Sequence, residues 1–326
     1  MNASDPKLAV AYPNFFRSLL TGFDRISRHA WLALFPIALD LWLWLGLHIP
    51  VTTMIRSLNE QLTDVAGLDV AQGGELIEAS QEIWQMLAER FNLMIALRAY
   101  PVGIPSLMAG RLAVESPVGT PFTWEVYSIP GALLVWVALS ILGLILGTLY
   151  YHLVAQATLA DATNLRAALA AWPRNALRVL GVALALVLLY LLVTLPASCL
   201  MVVASLGGLG QCVTFLYVVF LAWLLFPFFL SGHGIFVYGD GTSVSVARGA
   251  RVARLLAVPT SLLVLTILAS TQLLDVLWNV TAESSWLTLL GIVGHAFVTT
   301  GLLAGTFIYY QAADLWVSTW TNPVRS

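Results

Sequence analysis

The chain has 326 residues, of which 59% are hydrophobic and 10% are charged, and its formal net charge at pH 7 is −2. Soluble domains carry roughly 25% charged residues, so this composition indicates a membrane protein. The balanced charge provides no basic field for nucleic acid, and two cysteines exclude a disulfide framework or a cysteine-rich zinc site.

Apolar segments in chain order predict an all-α, polytopic membrane protein with six transmembrane helices. A helix that crosses a bilayer core about 30 Å thick needs ~20 apolar residues. The clearest segment lies between Arg178 and Asp240, where sixty-one residues include no Asp, Glu, Lys or Arg. It is long enough for two crossings, and Gly207, Gly208 and Gly210 mark the turn between them. The six predicted spans are about 31–50, 129–155, 179–203, 212–236, 255–278 and 287–312.

The segment 51–128, between the first two spans, is predicted to be an external loop. Apolar residues recur at helical spacing within 75–98, which predicts an amphipathic helix that lies on the outer membrane surface or caps the bundle. The next stretch, 99–108, is too short and too rich in proline and glycine to span. It is expected to rest at the interface, or to enter the membrane where protein shields it.

The distribution of bases predicts the orientation. Eleven Lys and Arg residues lie on the side of the termini, and four, namely Arg56, Arg90, Arg98 and Arg111, lie on the other side. The positive-inside rule therefore places both termini in the cytoplasm.

Three basic segments suggest an internal repeat. They cover 16–25, 165–174 and 244–254, and each leads into an outgoing span. Arg25, Arg174 and Arg248 align at offsets of 149 and 74. We therefore expect three hairpins, each preceded by a basic interfacial helix, with the long external loop inserted in the first. The alternative is that any helix leaving the cytoplasm begins with bases.

The same basic segments, together with Phe226-Pro-Phe-Phe-Leu and Val237-Tyr-Gly-Asp-Gly241, resemble a broad family of uncharacterised bacterial six-helix membrane proteins. This family includes the membrane domain fused to some glycerophosphodiester phosphodiesterases. Phe91-Asn-Leu and Pro105-Ser-Leu-Met-Ala-Gly-Arg111 resemble a narrower group within it. The resemblance implies a fold and a bacterial inner (cytoplasmic) membrane location, and it implies no activity.

Asp40 lies at the middle of the first predicted span, where a carboxylate must face the bundle, pair or be protonated. It is either a proton or ligand site, or a protonated acid that ties helices together. Its candidate partners at similar depth are Tyr190, Thr194, Ser140, Thr300 and His295.

His152 and His233 lie near the same end of two returning spans and are the candidate cofactor ligands, for a haem or a chlorophyll-type ring. The alternative is that each histidine is hydrogen-bonded to a neighbour or to water, and in that case no cofactor is expected. No metal site is predicted. Cys199 and Cys212 flank the turn at 207–210 and are not expected to form a disulfide, because Cys199 is expected to be buried.

Two glycine pairs are candidate helix-packing sites. Gly143 and Gly147 lie in the second span, and Gly301 and Gly305 lie at matching depth in the sixth. Small residues four apart allow close approach of backbones, so these spans are predicted to pack on each other or on a partner subunit. Chance is the alternative, since glycine is common in membrane helices.

Three functions remain open. The first is a structural or accessory subunit that binds lipid and other membrane subunits, or itself. The second is a carrier or a lipid- or quinone-handling protein with a site at Asp40. The third is a cofactor-bearing subunit of a respiratory or photosynthetic complex. An enzyme is the least expected, because the sequence contains none of the common hydrolase or phosphate-binding motifs.

Overall fold

Helices are the main elements of the computed structural model, which describes residues 11–66, 84 and 88–321. Short 3-10 helices cover Ala30–Ala33, Leu93–Leu97 and Phe226–Phe228. The α-helices are α1 (Phe15–Arg28), α2 (Leu34–Leu45), α3 (Thr52–Ala66), α4 (Met108–Arg111), α5 (Ile129–Ala160), α6 (Leu165–Leu206), α7 (Gly210–Leu225), α8 (His233–Val237), α9 (Thr242–Leu255), α10 (Ala257–Trp278) and α11 (Thr288–Thr321).

Five helical segments of the described residues are long and apolar enough to cross a membrane. They correspond to the five predicted spans after the first. Their bounds are Ile129–Ala160, Leu165–Ser205, Gly210–Val237, Ala257–Trp278 and Thr288–Trp320. The all-α class and the presence of long membrane-type helices are therefore confirmed.

The first predicted span, 31–50, is shorter in the structure. Its apolar helical part covers Ala30–Leu45, and the helix ends at Gly46. Sixteen residues at about 1.5 Å each rise about 24 Å, which is less than a bilayer core of about 30 Å. The chain continues in an extended conformation, where His48 pairs with Thr123 and Pro50 pairs with Asn92.

The basic segments do not share one structure. The first and the third form separate helices, α1 and α9, and each is followed by a non-helical residue, His29 or Leu256. The second is the start of α6, which continues through Pro173 without a break. Asn164 caps this long helix by accepting a hydrogen bond from the Ala167 backbone N–H at 2.9 Å.

Residues 46–66 and 88–128 form a folded cap over one end of the bundle, which we call the cap end. Asn92 connects two extended segments of the cap. The side-chain oxygen of Asn92 accepts a hydrogen bond from the backbone N–H of Ile49 at 2.8 Å. Leu93 donates back to Ile49, and Val126 donates to Pro50. The predicted helix over 75–98 falls mostly outside the described residues. Within them it does not reach 98, since Asn92 is extended and a 3-10 helix follows.

An apolar core lies beneath the cap. It joins the cap to α2, α5 and α11 and includes Trp44, Leu93, Leu107, Ala132 and Ile292. Glu283, in the loop before α11, connects that loop to the cap. Its carboxylate is 3.1 Å from Arg90 and accepts a hydrogen bond from the Val114 backbone N–H at 3.0 Å. The described residues between α2 and α5 are therefore part of the folded body.

Burial is distributed unevenly among the long helices. In the most apolar window of Thr288–Trp320, 56% of the residues are buried, against 6% in Gly210–Val237. From residue 187 to residue 229 no described side chain is buried. We call residues 187–225, the second half of α6 together with α7, the peripheral hairpin.

Candidate functional site

Asp40 is fully buried and holds a segment of the cap by three hydrogen bonds. Its carboxylate accepts from the Ser106 hydroxyl at 2.5 Å, the Met108 backbone N–H at 3.0 Å and the Leu107 backbone N–H at 3.2 Å. Ser106 in turn accepts from the Ala109 backbone N–H at 3.0 Å, at the start of the short helix α4. A buried carboxylate with three donors is well satisfied, so Asp40 connects α2 to this turn.

The segment held by Asp40 enters the bundle, and we call residues 97–108 the re-entrant segment. Val102, Leu107 and Met108 in it are buried. The backbone carbonyl of Leu97 lies against Gly143, and that of Val102 lies against Gly147. Gly147 is the nineteenth residue of α5, about 27 Å along that helix at ~1.5 Å per residue. Irregular backbone is tolerated at such a depth because protein surrounds it.

The glycine pair of α5 therefore packs on the re-entrant segment. A Cβ atom on Gly143 would stand 2.3 Å from the Leu97 carbonyl oxygen, and one on Gly147 would stand 2.2 Å from that of Val102. Both distances are far below contact, so glycine is required at both positions.

The glycine pair of α11 packs on the N-terminal helix α1. A Cβ atom on Gly22 would lie 2.4 Å from the Gly305 backbone nitrogen, and Gly301 lies against the ring of Phe23. The prediction that α5 and α11 pack on each other through their glycines is wrong. Each glycine pair instead contacts a segment that is not one of the five long helices. The two helices are joined instead by the Tyr150 hydroxyl, which donates to Thr300 at 2.9 Å.

His295 is the one predicted partner of Asp40 that lies beside it. Its Nδ1 is 4.0 Å from an Asp40 carboxylate oxygen, and its Nε2 is 3.7 Å from Asp275. Arg98 interacts electrostatically with all three side chains. Tyr190, Thr194, Ser140 and Thr300 do not hydrogen-bond to Asp40. Ser106 and Arg98 had no signal in the sequence, since they lie more than fifty residues away in a loop expected outside the spans.

At the opposite end, which we call the basic end, Arg248 connects three elements. It forms ion pairs of 2.9 Å with Asp240 and 3.0 Å with Asp314, and its guanidinium lies 4.7 Å from the ring centre of Tyr238. Burial opposes its charge, yet the hydrogen bond and charge of Asp314 hold the pKa of Arg248 above its ordinary value. Burial, followed by the Asp314 charge, raises the pKa of Tyr238. This network fixes α9 to α11.

The two candidate cofactor histidines each have partners within the protein. His152 is half-buried, and its ring nitrogens lie 3.0 Å from the Gln156 amide and 3.3 Å from the Asn175 amide. His233 is buried, with Nε2 2.8 Å from the Thr306 hydroxyl. The rings of Phe236 and Phe307 connect the two imidazoles by successive contacts. A cofactor at either histidine stays a prediction, which the visible spectrum of the purified protein tests.

Cys199 and Cys212 are both free and exposed on the peripheral hairpin. The expectation that Cys199 is buried is wrong, because this half of α6 contacts little besides α7. Among the described residues, no group of three or more His, Cys, Asp or Glu side chains has an arrangement that would hold a metal ion.

Comparisons with protein-family models, with curated proteins and with solved structures give no match to this chain. Three features of the structure are candidates for a function: the Asp40–His295–Asp275 group, the re-entrant segment and the peripheral hairpin.

Proposed function

We propose that this protein is a non-enzymatic accessory subunit of the bacterial inner membrane, which binds another membrane protein through its peripheral hairpin. In this proposal α2 completes a sixth crossing, the termini are cytoplasmic and the cap is external. The positive-inside distribution of arginine and the resemblance to bacterial six-helix proteins support that arrangement.

The observation that carries the proposal is the isolation of α7. None of its sixteen residues is buried, although a helix at the edge of a bundle normally buries one face on its neighbours. Its main contacts are with α6 and with Phe226–Phe228. Large side chains, including Phe215, Leu216 and Trp223, are exposed at 64 to 71%. We infer that the occupant of this surface is an apolar transmembrane helix of a partner subunit.

Polar side chains on the hairpin support a protein partner over lipid alone. The Thr194 and Tyr217 hydroxyls are 2.7 Å apart, and Gln211 and Ser205 line an open groove beside the turn. Such groups provide hydrogen bonds to a neighbouring helix within a membrane, which lipid chains do not offer.

The native cysteines make this proposal directly testable. They are the only two in the chain, and both lie on the hairpin, so a thiol-reactive photo-crosslinker reports on this surface alone. In native membranes we expect one defined membrane protein to be linked at Cys199 or Cys212. Trp223→Ala and Phe215→Ala are expected to reduce that product several-fold.

The matched control is Leu134→Cys on α5, also highly exposed, in a Cys199→Ser/Cys212→Ser background. It is expected to give lipid adducts without the defined protein. A product of twice the chain mass would identify the partner as a second copy. Lipid adducts alone at both native cysteines would refute the proposal.

The second candidate is a carrier or a lipid- or quinone-handling protein, and the re-entrant segment is the observation that favours it. Broken backbone beside a buried acid is a feature of many transporter sites. Against it, Asp40 is fully buried and already has three donors of the chain itself. Native mass spectrometry of the detergent-purified protein tests this function: a bound lipid or quinone that is lost in Asp40→Asn would support it, and no bound molecule would reject it.

A further inference from the structure

His295 lies between two carboxylates in the interior of the bundle. Its side chain is 5% exposed, with Nδ1 facing Asp40 at 4.0 Å and Nε2 facing Asp275 at 3.7 Å. Both separations exceed a hydrogen bond but lie within ion-pair range. Within the described residues, Nδ1 of His295 and one carboxylate oxygen of Asp275 are buried without a hydrogen-bond partner. Unpaired polar atoms of this kind are costly, so the arrangement points to a missing component.

The charges around His295 indicate what that component is. The charged groups that face it are Asp40 on α2, Asp275 on α10 and Arg98 at the start of the re-entrant segment. Helix α5 contributes no charged side chain, since residues 129–158 include no Asp, Glu, Lys or Arg. Its His152 is hydrogen-bonded to Gln156. Two carboxylates and one guanidinium leave one negative charge when the imidazole is neutral. A single proton would neutralise the group in a medium where uncompensated charge is unfavourable.

We propose that Asp275, His295 and Asp40 form a binding site for one proton, which is held on the imidazole and shared with the two carboxylates. Protonation places an N–H on both ring nitrogens, and each then has a carboxylate acceptor in its direction. The unpaired Nδ1 of His295 becomes a donor toward Asp40, and the unpaired oxygen of Asp275 becomes an acceptor for Nε2.

Asp275 provides the route for that proton. Its side chain is 32% exposed, whereas that of Asp40 is fully buried, so water reaches the group at Asp275. Asp275 also lies near the end of α10 that is closest to the cap. The proton comes from water on the cap side, binds to a ring nitrogen of His295, and returns by the same path.

The site is connected to the re-entrant segment through Asp40. A protonated His295 competes for the Asp40 carboxylate with the donors of Ser106, Leu107 and Met108. Proton binding at His295 is therefore coupled to the hydrogen bonds by which Asp40 holds the turn at 106–108. This inference does not depend on the partner of the hairpin.

The test is the ¹⁵N NMR spectrum of the histidine side chains in lipid nanodiscs as a function of pH. The chain has five histidines, and His295→Gln identifies the signal of the site. We expect the His295 imidazole to titrate between about pH 4 and 9. Asp275→Asn should lower the pH midpoint by about one unit or more, because an attracting anion is lost. Arg98→Gln should raise it, because a repelling cation is lost.

His152 is the internal control, and its signal should not move in either variant. Both variants retain His295 and change partly exposed or exposed residues, so the fold is expected to persist. A His295 signal that is constant over this range would overturn the proposal, as would a midpoint unaffected by Asp275→Asn and Arg98→Gln. A signal that changes with Na⁺ concentration at fixed pH would assign the site to a metal cation instead.

Discussion

The re-entrant segment and the peripheral hairpin contrast sharply, although both are predominantly apolar. The first is only twelve residues long and contains irregular backbone, yet half of its residues are buried, in contact with α5, α8 and α2. The second consists of two regular apolar helices and has no buried side chain among its described residues. Apolar composition therefore does not decide which segment packs. Lipid is as apolar as leucine, so packing inside a membrane depends on shape and polar contacts.

Two glycines of α5 allow the re-entrant segment to pack closely, and Asp40 provides its polar contacts. Gly143 and Gly147 let its carbonyl groups touch α5, and Asp40 satisfies its N–H groups. The peripheral hairpin instead has large side chains such as Phe215 and Trp223 exposed on its outer surface. Five predictions test whether close glycine packing and satisfied hydrogen bonds are the cause of this difference.

The largest effect is expected for Asp40→Leu. It would leave the Ser106 hydroxyl and the Leu107 and Met108 N–H groups without their acceptor, at about 1–3 kcal/mol for each buried group left unpaired. The free energy of unfolding in mixed micelles should fall by about 3 kcal/mol or more. Asp40→Asn keeps an acceptor oxygen and should cost much less. Equal stability of Asp40→Leu and the wild type would show that the segment is held by other contacts.

Gly147→Ala should come next. The added Cβ would stand 2.2 Å from the Val102 carbonyl oxygen, so the segment or the helix must shift. Overpacking of this kind costs about 1–3 kcal/mol, measured by the same unfolding titration. The matched control is Gly241→Ala, where nothing lies within 4 Å of the new atom. If both substitutions have the same effect, close packing at Gly147 is not the cause.

Glu283→Ala should weaken the cap by about 1 kcal/mol. It removes the acceptor of the Val114 N–H and the partner of Arg90, and Glu283 is 18% exposed, so solvent screens it only in part. Protease sensitivity of residues 88–128 should increase with the loss of stability. Glu115→Ala, at an exposed neighbouring acid, serves as the control and should change neither property.

Glu125 should give a smaller, pH-dependent effect. Hydrogen bonds from the Thr53 hydroxyl and backbone N–H hold the pKa of Glu125 below its ordinary value of 4.5. A depressed pKa in the folded state contributes stability that is present above about pH 4.5 and is lost as pH falls through the folded pKa. Thermal unfolding should therefore separate the wild type from Glu125→Gln near neutral pH. The two curves should converge in acid, and a difference that grows in acid would contradict this sign.

Trp223→Ala should leave the stability of the purified protein unchanged within ~0.5 kcal/mol, because this side chain contacts nothing that folding buries. The same substitution should reduce crosslinking of the partner at Cys212. A loss of stability comparable with that of Gly147→Ala would mean that the hairpin packs on the bundle, and the contrast between the two regions would disappear.

The glycines show how far the sequence leads. The spacing of Gly143 and Gly147 correctly indicated a close approach of backbones, but it carried no information about the partner. The expected partner was another helix, because helices are the usual occupants of such faces. The actual partner is 97–103, for which entry beside protein was one of two expected placements, and nothing in its sequence linked it to Gly143 and Gly147.

Asp40 shows the same limit. Its position in an apolar run was enough to predict that it faces protein, and His295 was among its expected partners. Its strongest partners, Ser106 and the following backbone, lie in 99–108, which was expected either at the interface or inside the membrane beside protein. A donor sixty-six residues away cannot be inferred from periodicity, because periodicity reports only on the neighbours along one helix.

The amino-acid sequence by itself determined the class of the protein and the position of its long helices. Those properties follow from local composition, since an uncharged run of sufficient length must satisfy its backbone hydrogen bonds internally when it is surrounded by lipid. Only the tertiary structure decided which apolar surfaces are covered, that the described parts of the long loop form a cap, and that Asp40, His295 and Asp275 come together. These outcomes depend on contacts between distant residues, and in a membrane hydrophobicity does not select among them.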